Sequence, residues 1–185
     1  AGGEVINKSN HIPNINDIKK NLKNFIGYTN QIPPKVSAVK INGQRAYKLA
    51  REKKEFLIEP KEVFVSQIEV IEHKFNITSF SIESGKGYYI RSFARDLSVR
   101  LGTCGHILSL ERVKVGKFTK ETSILLDDLL KIGQRLEIFN CIKPSISMLD
   151  DILAYEIEEK LDIENLSFGR SIKIDERKII NTSSI

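Results

Sequence analysis

Arg91 stands between Tyr89-Ile90 and Phe93, in the stretch Ser84 to Leu97 that reads SGKGYYIRSFARDL. Upstream, Phe80 and Ile82 alternate with Ser79, Ser81 and Glu83, which predicts a half-buried strand from Phe75 to Glu83. Downstream, Phe93, Leu97 and Leu101 recur every four residues, which predicts one face of a helix from Ser92 to Leu101-Gly102. An arginine at such a handover, hemmed by apolar side chains, is expected to be partly desolvated. A cation in that state needs a carboxylate or a phosphate, because an unpaired buried charge is very costly. The residues alone leave two partners open. One is Asp96, at the next helical turn, in a structural ion pair. The other is a catalytic carboxylate supplied from elsewhere, which a fixed guanidinium would keep ionised and oriented for attack.

Other chemistries find little support. No G-x-x-x-x-G-K-[ST] or G-x-G-x-x-G loop is present, and Gly85-Lys86-Gly87 is too short to cradle a phosphate. There is no H-E-x-x-H and no G-x-S-x-G. His11, His73 and His106 have no acid or thiol close in sequence and read as surface or packing residues. Cys104 and Cys141 lie far apart, without a C-x-x-C or a Cys/His cluster, so neither a disulfide scaffold nor a metal site is expected. No apolar run reaches membrane-spanning length and no signal-peptide pattern opens the chain, so a reducing cytoplasm is expected and no membrane. The chain opens at Ala1-Gly2-Gly3 without methionine, which reads as the interior of a longer protein.

The elements that must position Arg91 follow from the same patterning. The 185 residues are 41% hydrophobic, enough for a packed domain and a small second one. Asn14 or Asn16 can cap a helix whose face is Ile15, Ile18, Leu22, Phe25 and Ile26, stopped at Gly27. Pro33-Pro34 excludes helix, and Asn42-Gly43 marks a hairpin turn before a short helix from Ala46 to Lys53. Val63 to Val65 and Ile68 to Ile71 read as one strand or two, Glu4 to Ile6 as a strand end, and His106 to Val115 as a further strand. A short helix is expected over Asp127 to Lys131, a helix from Ile152 to Leu161 and a strand from Ser171 to Ile174. This is an α+β chain, with a mixed, mostly antiparallel sheet and helices on one face. Its expected organisation is a domain over 1–132 with an insertion over about 30–60, a linker over 133–144 and a small segment over 145–185. Lys35, Lys40, Arg45, Lys48, Arg51, Lys53, Lys54 and Lys61 outnumber Glu52, Glu55 and Glu59 in and beside that insertion, whereas seven acids face one lysine between Leu149 and Asn165. A basic segment of that kind suits a polyanion.

Three blocks in order resemble one family. GKGYYIRSFARDL and the following LGTCGHILSLERVKVGKF resemble the pattern G-T-Y-I-R-[ST]-L-x-x-D-[IL]-G and then G-x-G-x-H-[LV]-x-x-L-R-R-x-x-x-G-x-[FY] of the bacterial tRNA pseudouridine synthase B family. QIPPKVSAVKINGQRAYKLAR resembles that family's insertion, Q-V-P-P-x-[YF]-S-A-x-K-x-x-G-x-x-x-Y-x-x-A-R. The resemblance runs from residue 1 to about 130, and ENLSFGRSIKI continues it as the start of a small PUA-like β domain that binds RNA.

The resemblance implies a pseudouridine synthase-like fold and an isomerase of tRNA. Such an enzyme flips a uridine of the T loop into a pocket, breaks its glycosidic bond and re-forms it through carbon, using an aspartate nucleophile. It implies no metal and no organic cofactor, a tRNA T stem-loop as partner, and a monomer. Arg91 matches the arginine that pairs with the aspartate, Tyr89 a substrate-contacting tyrosine, and Leu110 an apolar residue against the target base. Lys35, Lys40 and Arg45 of the insertion, with Lys86 and Arg112, are expected to contact RNA. The nucleophile motif G-x-L-D-x-x-A-x-G is absent; Ser147 to Ala154 is only a superficial likeness, and Asp150 reads as a surface or helix-start residue. A chain that lacks the aspartate, and a second base-stacking tyrosine that the family places earlier, is expected to be a piece that is inactive alone. Other departures are Val36 for an aromatic, Tyr88 for threonine, Thr103-Cys104-Gly105 for a small-residue turn, and Glu111 for the first of two arginines. Two alternatives stand beside this reading. One is a non-catalytic RNA-binding module. The other is the guide-RNA-dependent relative, which shares the Y-I-R block but is not expected to carry NGQRAYKLAR.

Overall fold

In a computed structural model the described residues are 4–133, 136–148, 153–175 and 179–181. They fall into two compact units, residues 1–110 and 111–185.

The first unit begins with helix α1 (Ile15–Leu22). Asn14 is its cap: the Asn14 side chain accepts the Asp17 N–H at 2.9 Å and donates to the Asp17 carboxylate at 2.5 Å. The helix does not run on to Gly27. It tightens into a 3₁₀ turn over Lys23–Phe25, which directs Phe25 inward, while Ile26 turns out to solvent. Gly27 then takes φ +88°, a conformation open to glycine, and starts strand β1 (Gly27–Gln31). The insertion holds a hairpin, β2 (Lys40–Ile41) and β3 (Gln44–Arg45), whose turn residues Asn42 and Gly43 both have positive φ, as that tight turn requires. Helix α2 (Ala46–Arg51) follows directly.

The possible pair of strands is a single one, β4 (Lys61–Lys74), which runs antiparallel to β1 on one side and to β5 (Ile77–Ser84) on the other. Its register slips between Val65 and Gln67 and again between Val70 and Glu72. The first slip explains the broken sequence pattern. Val63 and Val65 are buried on the period of two, and the extra residue lets Ile68, rather than Gln67, return to the core. Phe75 lies in the turn before β5, with φ +54° and its ring in solvent, instead of in the strand. Helix α3 (Ile90–Arg100) packs Phe93 and Leu97 against Leu22, Phe25, Val65 and Ile68. The sheet is antiparallel with helices against it, an α+β fold as expected.

Residues 4–6 are irregular, and the strand expected over His106 to Val115 is not formed. The segment is irregular until β6 (Lys114–Val115), which pairs only with β7 (Phe118–Thr119) in the second unit. Alternation makes a strand only where a neighbour takes its hydrogen bonds, and Leu108, Leu110 and Val113 are all exposed here. The second unit also holds α4 (Leu126–Ile132), 3₁₀ turns over Leu136–Cys141 and Ser145–Met148, β8 (Leu153–Tyr155), α5 (Lys160–Ser167) and β9 (Ile179–Asn181), which pairs with β8. Two expectations are corrected there. The helix expected over Ile152 to Leu161 is strand at Leu153–Tyr155, and helix begins only at Lys160. Ser171 to Ile174 is irregular and the strand comes later, at Ile179. Leu149, Asp150, Asp151 and Ile152, and with them the superficial nucleophile likeness, lie outside the described residues, as do Ala1, Gly2 and Gly3.

Candidate active site

The site is built where α3 begins. Strand β5 ends at Ser84, and Gly87 with φ +87° turns the chain so that Tyr89 comes back extended, at φ −107° and ψ 107°. Tyr89 precedes the helix but makes no side-chain cap. The helix start is held from outside instead, by the segment that leaves β1. Gln31, only 5% exposed, accepts the Tyr89 N–H at 2.9 Å and donates to the Tyr89 carbonyl at 3.2 Å. The fully buried Ser92 hydroxyl donates to the Ile32 carbonyl at 2.7 Å, which also accepts from Arg95 Nη2 at 2.9 Å.

Arg91 sits in the first turn of α3 and is exposed, which corrects the expectation of partial desolvation. A residue one turn into a packed helix and two before the inward Phe93 faces away from the core, whatever its sequence neighbours. Its Nη2 donates to the Val36 carbonyl of the insertion at 3.0 Å. Asp96, the structural partner left open by the sequence, is taken by Arg95, whose Nε and Nη2 reach its two carboxylate oxygens at 2.7 and 3.1 Å. None of the ion pairs among the described residues includes Arg91. Its guanidinium therefore keeps donors available to an incoming carboxylate.

Tyr89 is half-buried beside it. The neighbouring Tyr88 packs on the core with its hydroxyl buried. Burial, with the Asp96 charge adding to it, pushes the Tyr88 phenol far above its usual range, so it stays neutral. Lys86 is exposed in the loop before Tyr89, and Leu110 is 64% exposed at the end of the first unit. Lys35 and Lys40 are exposed on the insertion. Arg45 is engaged structurally: its Nη1 donates to the Ala38 carbonyl at 2.6 Å. Two backbone bonds, Ala46 N–H to Val39 and Tyr47 N–H to Ser37, close the same loop onto α2. Arg112 belongs to the second unit and is exposed; its neighbour Glu111 is paired there with Lys120.

The structure thus brings Arg91, Tyr89 and the Lys35 loop to one place. It also adds Gln31, Ser92 and Arg95, which sequence reasoning missed. A signal for Gln31 existed: along β1 the inward positions are Gly27, Thr29 and Gln31, and a polar side chain at an inward strand position must find partners.

A family model described as TruB family pseudouridylate synthase (N terminal domain) matches residues 1–90. A tRNA pseudouridine synthase B of Caulobacter sp. (strain K31) is 35% identical over 188 residues, covering 99% of this chain and 59% of the relative. One from Borreliella afzelii (strain PKo) is 45% identical over 131 residues, covering 70% of this chain and 46% of the relative. The chain thus spans about half to three-fifths of the length of these relatives. Among solved structures, a chain in a crystal structure of a Cbf5-Nop10-Gar1 complex superposes with a TM-score of 0.59 at 26% identity, covering 76% of this chain and 40% of that one. With the relatives aligned through the helix that carries Arg91, and the family model through the insertion and Tyr89, the chain belongs to the TruB family of pseudouridylate synthases.

Proposed function

We propose that this chain supplies the arginine and the RNA-binding insertion of an enzyme that isomerises a uridine in the T loop of tRNA to pseudouridine. The attacking aspartate comes from outside these 185 residues, since the sequence holds no match to the family's nucleophile motif; the complete enzyme is the two together. One observation carries the reading. Arg91 is held at the start of α3 by a single backbone carbonyl, while the one acid on that helix is occupied by Arg95. A cation so placed can fix an aspartate as carboxylate and aim it at the sugar carbon of the flipped nucleotide. Tyr89 offers a ring and a hydroxyl to that nucleotide, and Leu110 an apolar surface to its base. The insertion lays Lys35 and Lys40 along the stem-loop phosphates. Arg45 shapes the loop that presents them, and Lys86 and Arg112 add cationic contacts.

The enzyme works as a monomer in the cytoplasm. Two free cysteines, and no helix among the described residues long and apolar enough to cross a membrane, support that setting. The insertion hairpin and α2, folded from NGQRAYKLA, support the tRNA-acting enzyme over the guide-RNA-dependent relative.

Incubating T-arm RNA with the complete enzyme and resolving its nucleosides by chromatography should show one uridine converted to its isomer. No conversion of any RNA uridine rejects the proposal. The chain itself should bind T-arm RNA in a salt-dependent way. Replacing Lys35, Lys40 and Arg45 together by alanine should weaken binding and lower the slope of log affinity against log salt by about two to three, near one per lost phosphate contact. An unchanged slope would remove the insertion from the RNA interface.

A further inference from the structure

Gln31 makes a contact whose geometry exceeds what packing needs. Its amide presents an acceptor and a donor to the N–H and carbonyl of a single residue, Tyr89, across 58 positions of sequence. The pattern copies the pairing of one strand residue with another, so the extended Tyr89 is fixed as if it lay in a sheet. The Tyr89 carbonyl also accepts the Phe93 N–H at 3.0 Å, the first bond of α3. One amide therefore sets both the direction of the Tyr89 ring and the point at which the helix carrying Arg91 begins. The chain before Tyr89 cannot do this alone: Gly85, Lys86 and Gly87 are all exposed, and no side chain caps the helix.

We propose that Gln31 is a positioning residue for catalysis, which holds Tyr89 and Arg91 in register for the flipped nucleotide and the attacking carboxylate. This rests on the function proposed above. It makes Gln31 matter to the bound-state rate more than to RNA affinity, because displacing a reacting group by about 1 Å can cost on the order of 100-fold in rate.

Two variants of the complete enzyme test it. Gln31→Met keeps length and loses both hydrogen bonds. Its single-turnover rate on T-arm RNA should fall about 10- to 100-fold, with the Kd for the RNA unchanged and the protein still unfolding cooperatively. Gln31→Glu keeps the acceptor and regains the donor only when protonated, and burial raises the pKa of such a carboxyl. Its rate relative to wild type should therefore climb as pH falls from about 8 to about 6. A residue that only stabilises the fold would give variants with lower Tm and a flat pH ratio. Turnover by wild type with Gln31→Met at the full rate overturns the inference and leaves the function standing. So does loss of rate in step with loss of RNA affinity. Wild type without turnover overturns the functional reading itself, and with it this role. If Gln31→Met does not fold, the pH ratio of Gln31→Glu decides, a rise supporting the clamp and a flat ratio overturning it.

Discussion

Replacing Arg91 by alanine in the complete enzyme should lower the single-turnover rate of pseudouridine formation by about 100- to 1,000-fold, the scale for losing one preorganised charged contact at a reacting centre. Affinity for T-arm RNA should stay near that of wild type, since the guanidinium faces the carboxylate and the Val36 carbonyl and not a phosphate. Arg91→Lys should recover part of the rate: it restores the charge but not the two-pronged geometry a carboxylate prefers. Arg91 is exposed and outside the ion pairs of the fold, so both variants should unfold at about the wild-type midpoint. Rates of Arg91→Ala within about threefold of wild type, a difference worth under 1 kcal/mol, would contradict the assigned role.

The largest effect on stability belongs to Phe93. Its ring is 2% exposed and meets two others edge-on, Phe25 at 5.2 Å and Phe80 at 5.4 Å between centroids. It joins α3 to the turn after α1 and to β5, in the core that also holds Leu22, Val65, Ile68 and Leu97. Phe93→Ala should cost about 3–5 kcal/mol through lost burial and the cavity left behind. That is much of the roughly 5–15 kcal/mol that holds an ordinary domain folded. Urea unfolding followed by circular dichroism checks it through the shift in midpoint. A loss below about 1 kcal/mol would mean the first unit does not depend on this aromatic junction.

The sequence stage read well wherever one periodicity ran unbroken against a packed neighbour. Phe93, Leu97 and Leu101 announced α3, Asn14 announced its cap, and Asn42-Gly43 announced its hairpin. It read poorly where tertiary pairing decides. The residues from His106 to Val113 alternate like a strand yet have no strand beside them, and the slip after Val65 hid the continuity of β4. For the candidate site, Arg91 and Tyr89 could be picked out by type and by resemblance. Their surroundings could not. Which carboxylate Arg95 takes, and that Gln31 reaches Tyr89 across the sheet, depend on contacts some 60 residues apart that no local pattern carries.

The account stands on Arg91 holding the attacking aspartate as a carboxylate. The direct measurement is the pKa of that aspartate in the complete enzyme, followed by carbon NMR of its labelled carboxyl against pH, with and without Arg91→Ala. A neighbouring guanidinium favours the charged form. The wild-type carboxyl should therefore titrate below the usual aspartate value, and Arg91→Ala should raise it by about one to three pH units. The same pKa in both proteins would contradict the pairing.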